Sequence, residues 1–216
     1  DATLLAAPLS AEAVTVVKDS FADAIVASSF PVEGVNCDVL MADSVESGRL
    51  AARHICRGAS NDDVLYVHNP AIVGADGRLQ GFESQCRGEG LDPEAITLRL
   101  PAAWQSGRPL AALTDRIGKA GRIAASDDFT AVTVMMICQR LGRTPGEDVA
   151  VMGQDNERVG ALISPGLTTI DLNGKEIGRR AMETLLARVE ETRADAAQTV
   201  AIAPRLVARE STRHLS

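Results

Sequence analysis

The chain has 216 residues and carries 22 Lys and Arg against 29 Asp and Glu, which gives a formal net charge of −7 at pH 7. An apolar fraction of 45% with 24% charged residues is typical of a globular protein and excludes a disordered chain. The length predicts one large domain or two small lobes. No apolar stretch approaches the roughly 20 residues that cross a bilayer, and no basic block offers the positive surface that nucleic acid requires. We therefore expect no membrane association, no signal peptide in this sequence, and no DNA contact by these residues themselves.

Short apolar runs alternate with stretches of helical period along almost the whole chain, a pattern typical of βα units around parallel sheets. The predicted strands are, in chain order, Thr3–Ala7, Ala24–Ala27, Val39–Ala42, Val64–Val67, Ala95–Leu98, Arg122–Ala125, Val149–Met152, Leu167–Ile170, Thr199–Ile202 and Arg205–Val207. The predicted helices are Ala11–Asp19, Ser47–Arg57, Ala75–Arg87, Pro109–Ala120, Asp128–Leu141 and Lys175–Glu190. No linker rich in Pro, Gly and Ser divides the chain, so two lobes would be crossed by the chain more than once.

Four cysteines, Cys37, Cys56, Cys86 and Cys138, are scattered along the chain without a CxxC pair. This spacing favours buried free thiols in a reducing cytoplasm. His54 and Cys56 lie two residues apart, and residues with that spacing point to different faces of a helix. We therefore predict no metal site and no cofactor.

Catalytic templates do not match the sequence. It contains no GxSxG elbow, no Walker A motif and no HExxH motif. Gly74, Gly77 and Gly81 have the wrong spacing for a dinucleotide fingerprint. Only three histidines are available to activate a nucleophile. The sequence therefore predicts a protein that is not an enzyme.

Polar side chains follow several predicted strands at their carboxyl ends, where open parallel sheets bind ligands. Arg78 lies in the first turns of the helix after the fourth strand, Ser126 and Asp127 follow the sixth, and Asp155 follows the seventh. Arg78 supplies a fork of donors and the aspartates supply acceptors, while Trp104 in a nearby loop offers a flat apolar face. A polyhydroxylated ligand needs this set, because its hydroxyls require donors and acceptors and its C–H face packs on an aromatic ring.

Structural roles stay open for the same residues. Asp127 or Ser126 can cap the helix that follows them. Asp155 can be a loop or cap residue, and Arg78 can belong to a surface ion pair. Trp104 can be a half-buried packing residue.

Several ordered segments carry a resemblance to one known family. They are Asp43–His54, Gly77-Arg-Leu-Gln-Gly-Phe, Val149-Ala-Val-Met-Gly-Gln-Asp-Asn, Pro165-Gly-Leu-Thr-Thr-Ile, Gly178–Leu186 and Leu206-Val-Ala-Arg-Glu-Ser-Thr. In this order, and over essentially the whole chain, they resemble LacI/GalR-type transcriptional regulators. The resemblance implies a periplasmic-binding-protein-like type I fold, which is α/β and has two parallel-sheet α/β lobes with three crossovers. The first lobe is expected to be incomplete, because Asp1 corresponds to the start of its third strand.

By this resemblance, the N-terminal lobe comprises residues 1–57 plus 172–195, and the C-terminal lobe comprises residues 58–171 plus 196–216. The family binds a small effector in the cleft between the lobes. The residues matching Arg78 and Asp155 bind that effector, the position matching Trp104 often contributes a ring, and those matching Ser126 and Glu46 line the cleft. Gln154 departs from the family, which commonly has an aromatic residue beside the Asp, and Ser126 stands where Asn is frequent.

The resemblance implies a function as well as a fold. It implies a cytoplasmic effector-sensing domain that binds a small polar ligand, a sugar or sugar derivative, and thereby modulates operator binding. The implied partners are the effector, a second copy of the chain in a homodimer, and operator DNA held by an N-terminal helix-turn-helix head absent from this chain. The alternative is a periplasmic sugar-binding protein of an ABC transporter, which shares the fold but needs export. The Leu-Thr-Thr-Ile and Leu-Val-Ala-Arg-Glu-Ser-Thr segments favour the regulator.

Overall fold

The computed structural model describes residues 2–5, 15–16, 25–28, 37–101, 104, 111–190 and 196–215. Its strands are β1 (Ala2–Leu5), β2 (Ile25–Ser28), β3 (Asp38–Ala42), β4 (Val64–His68), β5 (Thr97–Arg99), β6 (Arg122–Ala125), β7 (Ala150–Met152), β8 (Thr169–Asp171), β9 (Thr199–Ile202) and β10 (Arg205–Val207). Its helices are α1 (Ser44–Ile55), α2 (Ala75–Gly88), α3 (Pro93–Ile96), α4 (Ala111–Lys119), α5 (Asp128–Arg140), α6 (Arg158–Leu162) and α7 (Gly174–Val189), followed by a 3-10 helix (Glu210–Leu215). The helix predicted over Ala11–Asp19 lies outside the described residues except for Thr15 and Val16, which are helical. The first two residues of the helix predicted over Pro109–Ala120 also lie outside them.

The chain forms two compact units. The first unit comprises Asp1–Asp43 and Asn173–Ala203, and the second comprises Ser44–Leu172 and Pro204–Ser216. The chain therefore passes from one unit to the other three times, after Asp43, after Leu172 and after Ala203. Among the described residues, no helix has both the length and the apolar character to span a membrane.

The first unit contains a parallel sheet with the strand order β1-β2-β3-β9. Helix α7 packs on this sheet and buries Ala181 and Leu185, two apolar residues whose spacing of four puts them on one face of the helix. A buried ion pair also joins the helix to the sheet, because Arg188 Nε donates to Asp38 Oδ2 at 2.8 Å. The unit is thus held together by two segments that are far apart in the sequence.

The second unit is built around a parallel sheet with the strand order β5-β4-β6-β7. Successive side chains of a strand point to opposite faces of its sheet. Leu65 packs with Ile117 of α4 on one face, and Tyr66 packs with Phe82 of α2 on the other. Because both faces of β4 are covered, its sequence is a continuous apolar run. Each large side chain that is fully buried here contributes about 1.5 to 3 kcal/mol.

Helices α1 and α2 lie against each other with almost no side chain between them. A Cβ atom on Gly48 of α1 would lie 1.8 Å from the carbonyl oxygen of Arg78, and one on Gly81 of α2 would lie 1.8 Å from that of Val45. Ser44, at the start of α1, lies beside Gly77 near the start of α2. The two helices therefore run in the same direction in close contact.

The two units differ from the predicted lobes in two places. Residues 44–57 were assigned to the N-terminal lobe, but α1 lies in the second unit, because Ala51, Ala52 and Ile55 pack into the core formed with Tyr66. Residues 196–203 were assigned to the C-terminal lobe, but β9 lies in the first unit, because it pairs in parallel with β3.

The strand predicted over Ala95–Leu98 is wrong in its first half. Ala95 and Ile96 end the short helix α3, and the strand β5 begins at Thr97. Asp92 caps this helix by accepting a hydrogen bond from the Glu94 N–H at 3.1 Å. A proline in the first turn completes a local helix-start signal, which the apolar pattern alone did not reveal.

Candidate ligand-binding site

The parallel strands β4, β6 and β7 of the second unit end at one edge of their sheet. The residues that follow these strands are polar. Asn69 follows β4, Ser126 and Asp127 follow β6, and Gln154 and Asp155 come shortly after β7. All of them are buried except Asp155, which is partly exposed. The carboxyl edge of this sheet therefore concentrates buried hydrogen-bonding groups.

Arg78 connects the groups at this edge. It lies in the first turn of α2 and is only 3% exposed. Its Nη2 donates to Asp155 Oδ1 at 2.6 Å, and its Nη1 donates to the carbonyl oxygen of Ser126 at 2.5 Å. Among the described residues, its Nε has no hydrogen-bond partner. The structure thus brings together Arg78, Asp155 and Ser126, three of the five predicted site residues.

Asp155 is presented by a strained loop. Its φ is +115° and that of Asn156 is +54°, conformations that non-glycine residues rarely adopt. Hydrogen bonds fix the loop, from the Asp155 N–H to the carbonyl oxygen of Ile170 at 2.9 Å and from the Asn156 N–H to Thr169 Oγ1 at 3.2 Å. The Asp155 side chain remains 24% exposed, so it retains access to a ligand.

The charge of Asp155 depends on its partner. Burial raises the pKa of Asp155, and the Arg78 guanidinium opposes that rise. The ion pair therefore stabilises the carboxylate form, which can only accept hydrogen bonds.

Asp127 and Asn69 form hydrogen bonds that hold the same edge of the sheet in place. Asp127 caps α5 by accepting a hydrogen bond from the Thr130 N–H at 2.8 Å, so its predicted role as a helix cap is confirmed. Asn69 donates its backbone N–H to Ser126 Oγ at 2.9 Å and its side-chain amide to Thr130 Oγ1 at 3.3 Å. The Ser126 side chain is therefore engaged by the protein itself.

A buried polar pair that the sequence did not predict lies beside Asp155. Ser47 of α1 donates a hydrogen bond to Gln154 Oε1, and both side chains are inaccessible to solvent. Within the described part of the chain, Gln154 Nε2 and the Tyr66 hydroxyl have no hydrogen-bond partner. Burial raises the pKa of Tyr66, and the charge of Arg78 opposes that rise. The departure of Gln154 from the family pattern was the only sequence signal for this pair.

The other two predicted site residues are not in contact with Arg78 in the described structure. Trp104 is partly buried and packs against the core that includes Leu65, which agrees with the packing role left open for it. Glu46 lies in the first turn of α1 and forms ion pairs with Arg53 and, at 3.5 Å, with Arg49.

In open α/β sheets, small molecules bind outside the carboxyl ends of the strands, and the buried Arg78–Asp155 pair lies at that edge of the second sheet. The chain belongs to the periplasmic binding protein-like domain family, whose model matches residues 61–212. The chain is 26% identical over 177 residues to the HTH-type transcriptional repressor PurR of Edwardsiella ictaluri (strain 93-146), an alignment that covers 81% of this chain and 51% of that protein. The chain thus spans about half the length of the curated relatives that it matches.

Solved structures with the same fold include two regulators. A complex of the transcriptional regulator CelR with cellobiose has a TM-score of 0.78 at 22% identity, over 98% of this chain and 65% of that one. The lac repressor dimer bound to operator and the anti-inducer ONPF has a TM-score of 0.72 at 17% identity, over 97% of this chain and 72% of that one. The predicted resemblance to LacI/GalR effector-binding domains and the predicted periplasmic-binding-protein-like fold are therefore confirmed.

Proposed function

We propose that this chain is the effector-sensing domain of a LacI/GalR-type transcriptional regulator and binds a small polar ligand, a sugar or a sugar derivative. The observation that carries the proposal is the Arg78–Asp155 pair at the carboxyl edge of the second sheet. The curated relatives are transcriptional regulators rather than enzymes or transport proteins. This favours the regulator over a periplasmic sugar-binding protein of a transporter.

The ligand chemistry follows from the charges at this edge. Asp155 accepts hydrogen bonds from ligand hydroxyls, while Arg78 holds the Asp155 carboxylate in place by donating to it at 2.6 Å. We also propose Ser126, Trp104 and Glu46 as contacts of the ligand. Each charge-assisted hydrogen bond contributes about 1.5 to 3 kcal/mol, so a few of them suffice for a dissociation constant on the order of micromolar.

The test is a thermal-shift screen of the chain against ribose, cellobiose, other free sugars, polyols and purines. A ligand at about 100 times its Kd stabilises the folded protein by about 2.7 kcal/mol, and about 2 to 4 °C of thermal shift accompanies each kcal/mol at this size. We expect Arg78→Ala and Asp155→Asn each to weaken the binding of a sugar found in this screen by tenfold or more, as measured by isothermal titration calorimetry.

Controls separate ligand binding from stability. Arg87→Ala removes an exposed arginine from the same helix, whose ion pair with Glu83 lies on the surface, and should leave the affinity unchanged. Circular dichroism checks that each variant is folded. Unchanged affinity in both Arg78→Ala and Asp155→Asn would refute the site, and a folded wild-type chain that binds no member of the panel would refute the assignment to sugars.

The proposed mechanism is a shift of population. An effector that binds one conformation of the domain more tightly increases the share of that conformation. In the proposed regulator, a helix-turn-helix head outside this sequence reads that change as altered affinity for operator DNA. We place this activity in the cytoplasm, where the protein meets DNA.

We further propose that the regulator is a homodimer. Helix α5 exposes Phe129 at 62% and Met136 at 48%, two turns apart on one face, and the adjacent helix α6 exposes Leu162 at 76%. Large apolar side chains that share an exposed surface favour association, and the lac repressor structure is a dimer. We expect Phe129→Asp to shift the chain from dimer to monomer in sedimentation equilibrium, whereas Val73→Asp, at an exposed apolar position elsewhere, should not.

A further inference from the structure

Two thiols meet at the ends of α1 and α2. Cys56 directly follows α1, and Cys86 lies in the last turns of α2. Their Sγ atoms are 3.3 Å apart, and both side chains are fully buried. All four cysteines are buried free thiols, as the sequence predicted, but this contact between two of them was not predicted.

The contact follows from the packing of the two helices. Gly48 lies against the backbone of Arg78, and Cys56 and Cys86 are separated by the same 30 residues in the sequence. Residues that are 30 positions apart therefore stay opposite each other for about two further helical turns, as far as the two thiols. The Cys56 N–H also donates to the Ala52 carbonyl oxygen at 2.8 Å, which holds Cys56 in the helical path. To form a bond, the two sulfurs must close from 3.3 Å to about 2.05 Å.

We propose that Cys56 and Cys86 are a site of oxidative modification and form an intramolecular disulfide when the protein meets a peroxide. One thiolate attacks a peroxide oxygen, so that an S–O bond forms, the O–O bond breaks and one water leaves. The second sulfur then attacks the sulfenic acid, the S–S bond forms, the S–O bond breaks and a second water leaves. In total, two thiols lose two hydrogens and one peroxide becomes two waters.

The rate of this oxidation is expected to depend on pH. The hydrogen bond with Cys86, followed by burial, raises the pKa of Cys56. Because the thiolate is the nucleophile, we expect slow oxidation at neutral pH and faster oxidation at alkaline pH. The bond would tie together the helices that carry Ser47 and Arg78, and its formation does not depend on the proposed function.

Peptide mapping tests the proposal. The folded chain is treated with hydrogen peroxide at neutral and at alkaline pH, free thiols are blocked with N-ethylmaleimide, and the unreduced protein is digested with trypsin. Cleavage after Arg53, Arg57, Arg78 and Arg87 isolates the peptides 54–57 and 79–87, which contain Cys56 and Cys86. We expect these two peptides as one linked species that lacks two hydrogens and separates on reduction. We also expect a higher thermal midpoint for the oxidised protein, because the bond closes a 30-residue loop in the unfolded chain.

Matched variants make the result specific. Cys138→Ser removes an equally buried thiol from another part of the core and should leave the linked peptide intact. Cys56→Ser should abolish it, and Cys86→Ala serves the same purpose if that variant does not fold. If both thiols are recovered blocked even after treatment at alkaline pH, they form a packing contact only. Links to Cys138 at equal frequency would mean oxidation of unfolded molecules. Either result overturns the proposal.

Discussion

Asp128 is a fully buried carboxylate that holds the loop carrying Asp155. Its Oδ2 accepts from the Glu157 N–H at 2.7 Å, and its Oδ1 accepts from Thr169 Oγ1 at 2.6 Å. Burial raises the pKa of Asp128 to about 7, although both hydrogen bonds oppose the rise. Gly153 leaves the space for this carboxylate, because a Cβ there would lie 2.3 Å from Asp128 Oδ1.

This raised pKa predicts that Asp128 lowers the stability of the folded protein by an amount that depends on pH. Between pH 3.8, the ordinary pKa of an aspartate side chain, and about pH 7, the unfolded chain has lost a proton that the folded chain keeps. This group therefore lowers the free energy of unfolding as the pH rises, and its effect levels off above that range. Asp128→Asn removes the titration, and its amide can accept from the Glu157 N–H and donate to Thr169 Oγ1. We expect the variant to gain stability relative to the parent by on the order of 4 kcal/mol across this window, as measured by urea unfolding. A stability difference that is constant with pH would contradict the assignment.

The residues at the carboxyl edge of the second sheet show which contacts could be predicted from the sequence. Arg78, Ser126 and Asp155 were predicted to gather, because ligands meet the carboxyl ends of parallel strands, and they do so. The pair formed by Ser47 and Gln154 could not be predicted. These two residues are 107 positions apart, and their contact exists only because α1 packs beside the end of β7.

At the scale of elements, the contact between α1 and α2 tolerates no added atom. Gly48→Ala places a methyl group where the carbonyl oxygen of Arg78 would be 1.8 Å away, so the helices must separate. We expect a loss of about 1 to 3 kcal/mol in the free energy of unfolding. Gly178→Ala is the matched control, because no atom of the described residues lies within 4 Å of a Cβ at that position of α7, and it should stabilise by about 0.5 to 1 kcal/mol. Equal effects of the two substitutions in urea unfolding would show that the close contact is absent in solution.

Long elements with a strong period were predictable, and short ones were not. The prediction for Lys175–Glu190 lies within one residue of α7 at either end, because its apolar stripe is clear and long. Helix α6 has five residues and α3 has four, too few for a period to emerge. The start of α3 is marked by the Asp92 cap, whereas Glu157, before α6, makes no side-chain cap hydrogen bond.

At the scale of the whole molecule, the sequence predicted the parallel α/β sheets but misplaced two segments. The family resemblance placed the segment 44–57 in the N-terminal lobe and the segment 196–203 in the C-terminal lobe. The structure assigns each by its partner, since α1 packs with the second core and β9 completes the sheet of β3. The pairing of strands that are far apart in the sequence cannot be predicted from the periodicity of either strand.

The first unit depends on a buried ion pair that joins its two chain segments. Asp38 is 3% exposed and accepts from Arg188 Nε at 2.8 Å and from the Gln198 N–H at 3.0 Å. Arg188 is a charged partner of this buried carboxylate at hydrogen-bonding distance, and breaking a buried ion pair by removing one partner costs about 3 to 5 kcal/mol. We therefore expect Arg188→Met to destabilise the first unit by that amount, whereas Arg205→Met should cost less than about 1 kcal/mol, because Arg205 pairs with Asp171 at the surface.

Two probes can localise this loss. Trp104, the single tryptophan of the chain, packs in the second unit, so its fluorescence follows that unit, while hydrogen exchange of the amides in β3 follows the first. The units have separate cores, so Arg188→Met should speed exchange in β3 and leave the midpoint of the fluorescence transition in urea in place. A lower fluorescence midpoint, together with faster amide exchange in β3, would mean that the two units unfold as one cooperative body. The effect of Arg188 would then belong to the whole molecule rather than to the first unit.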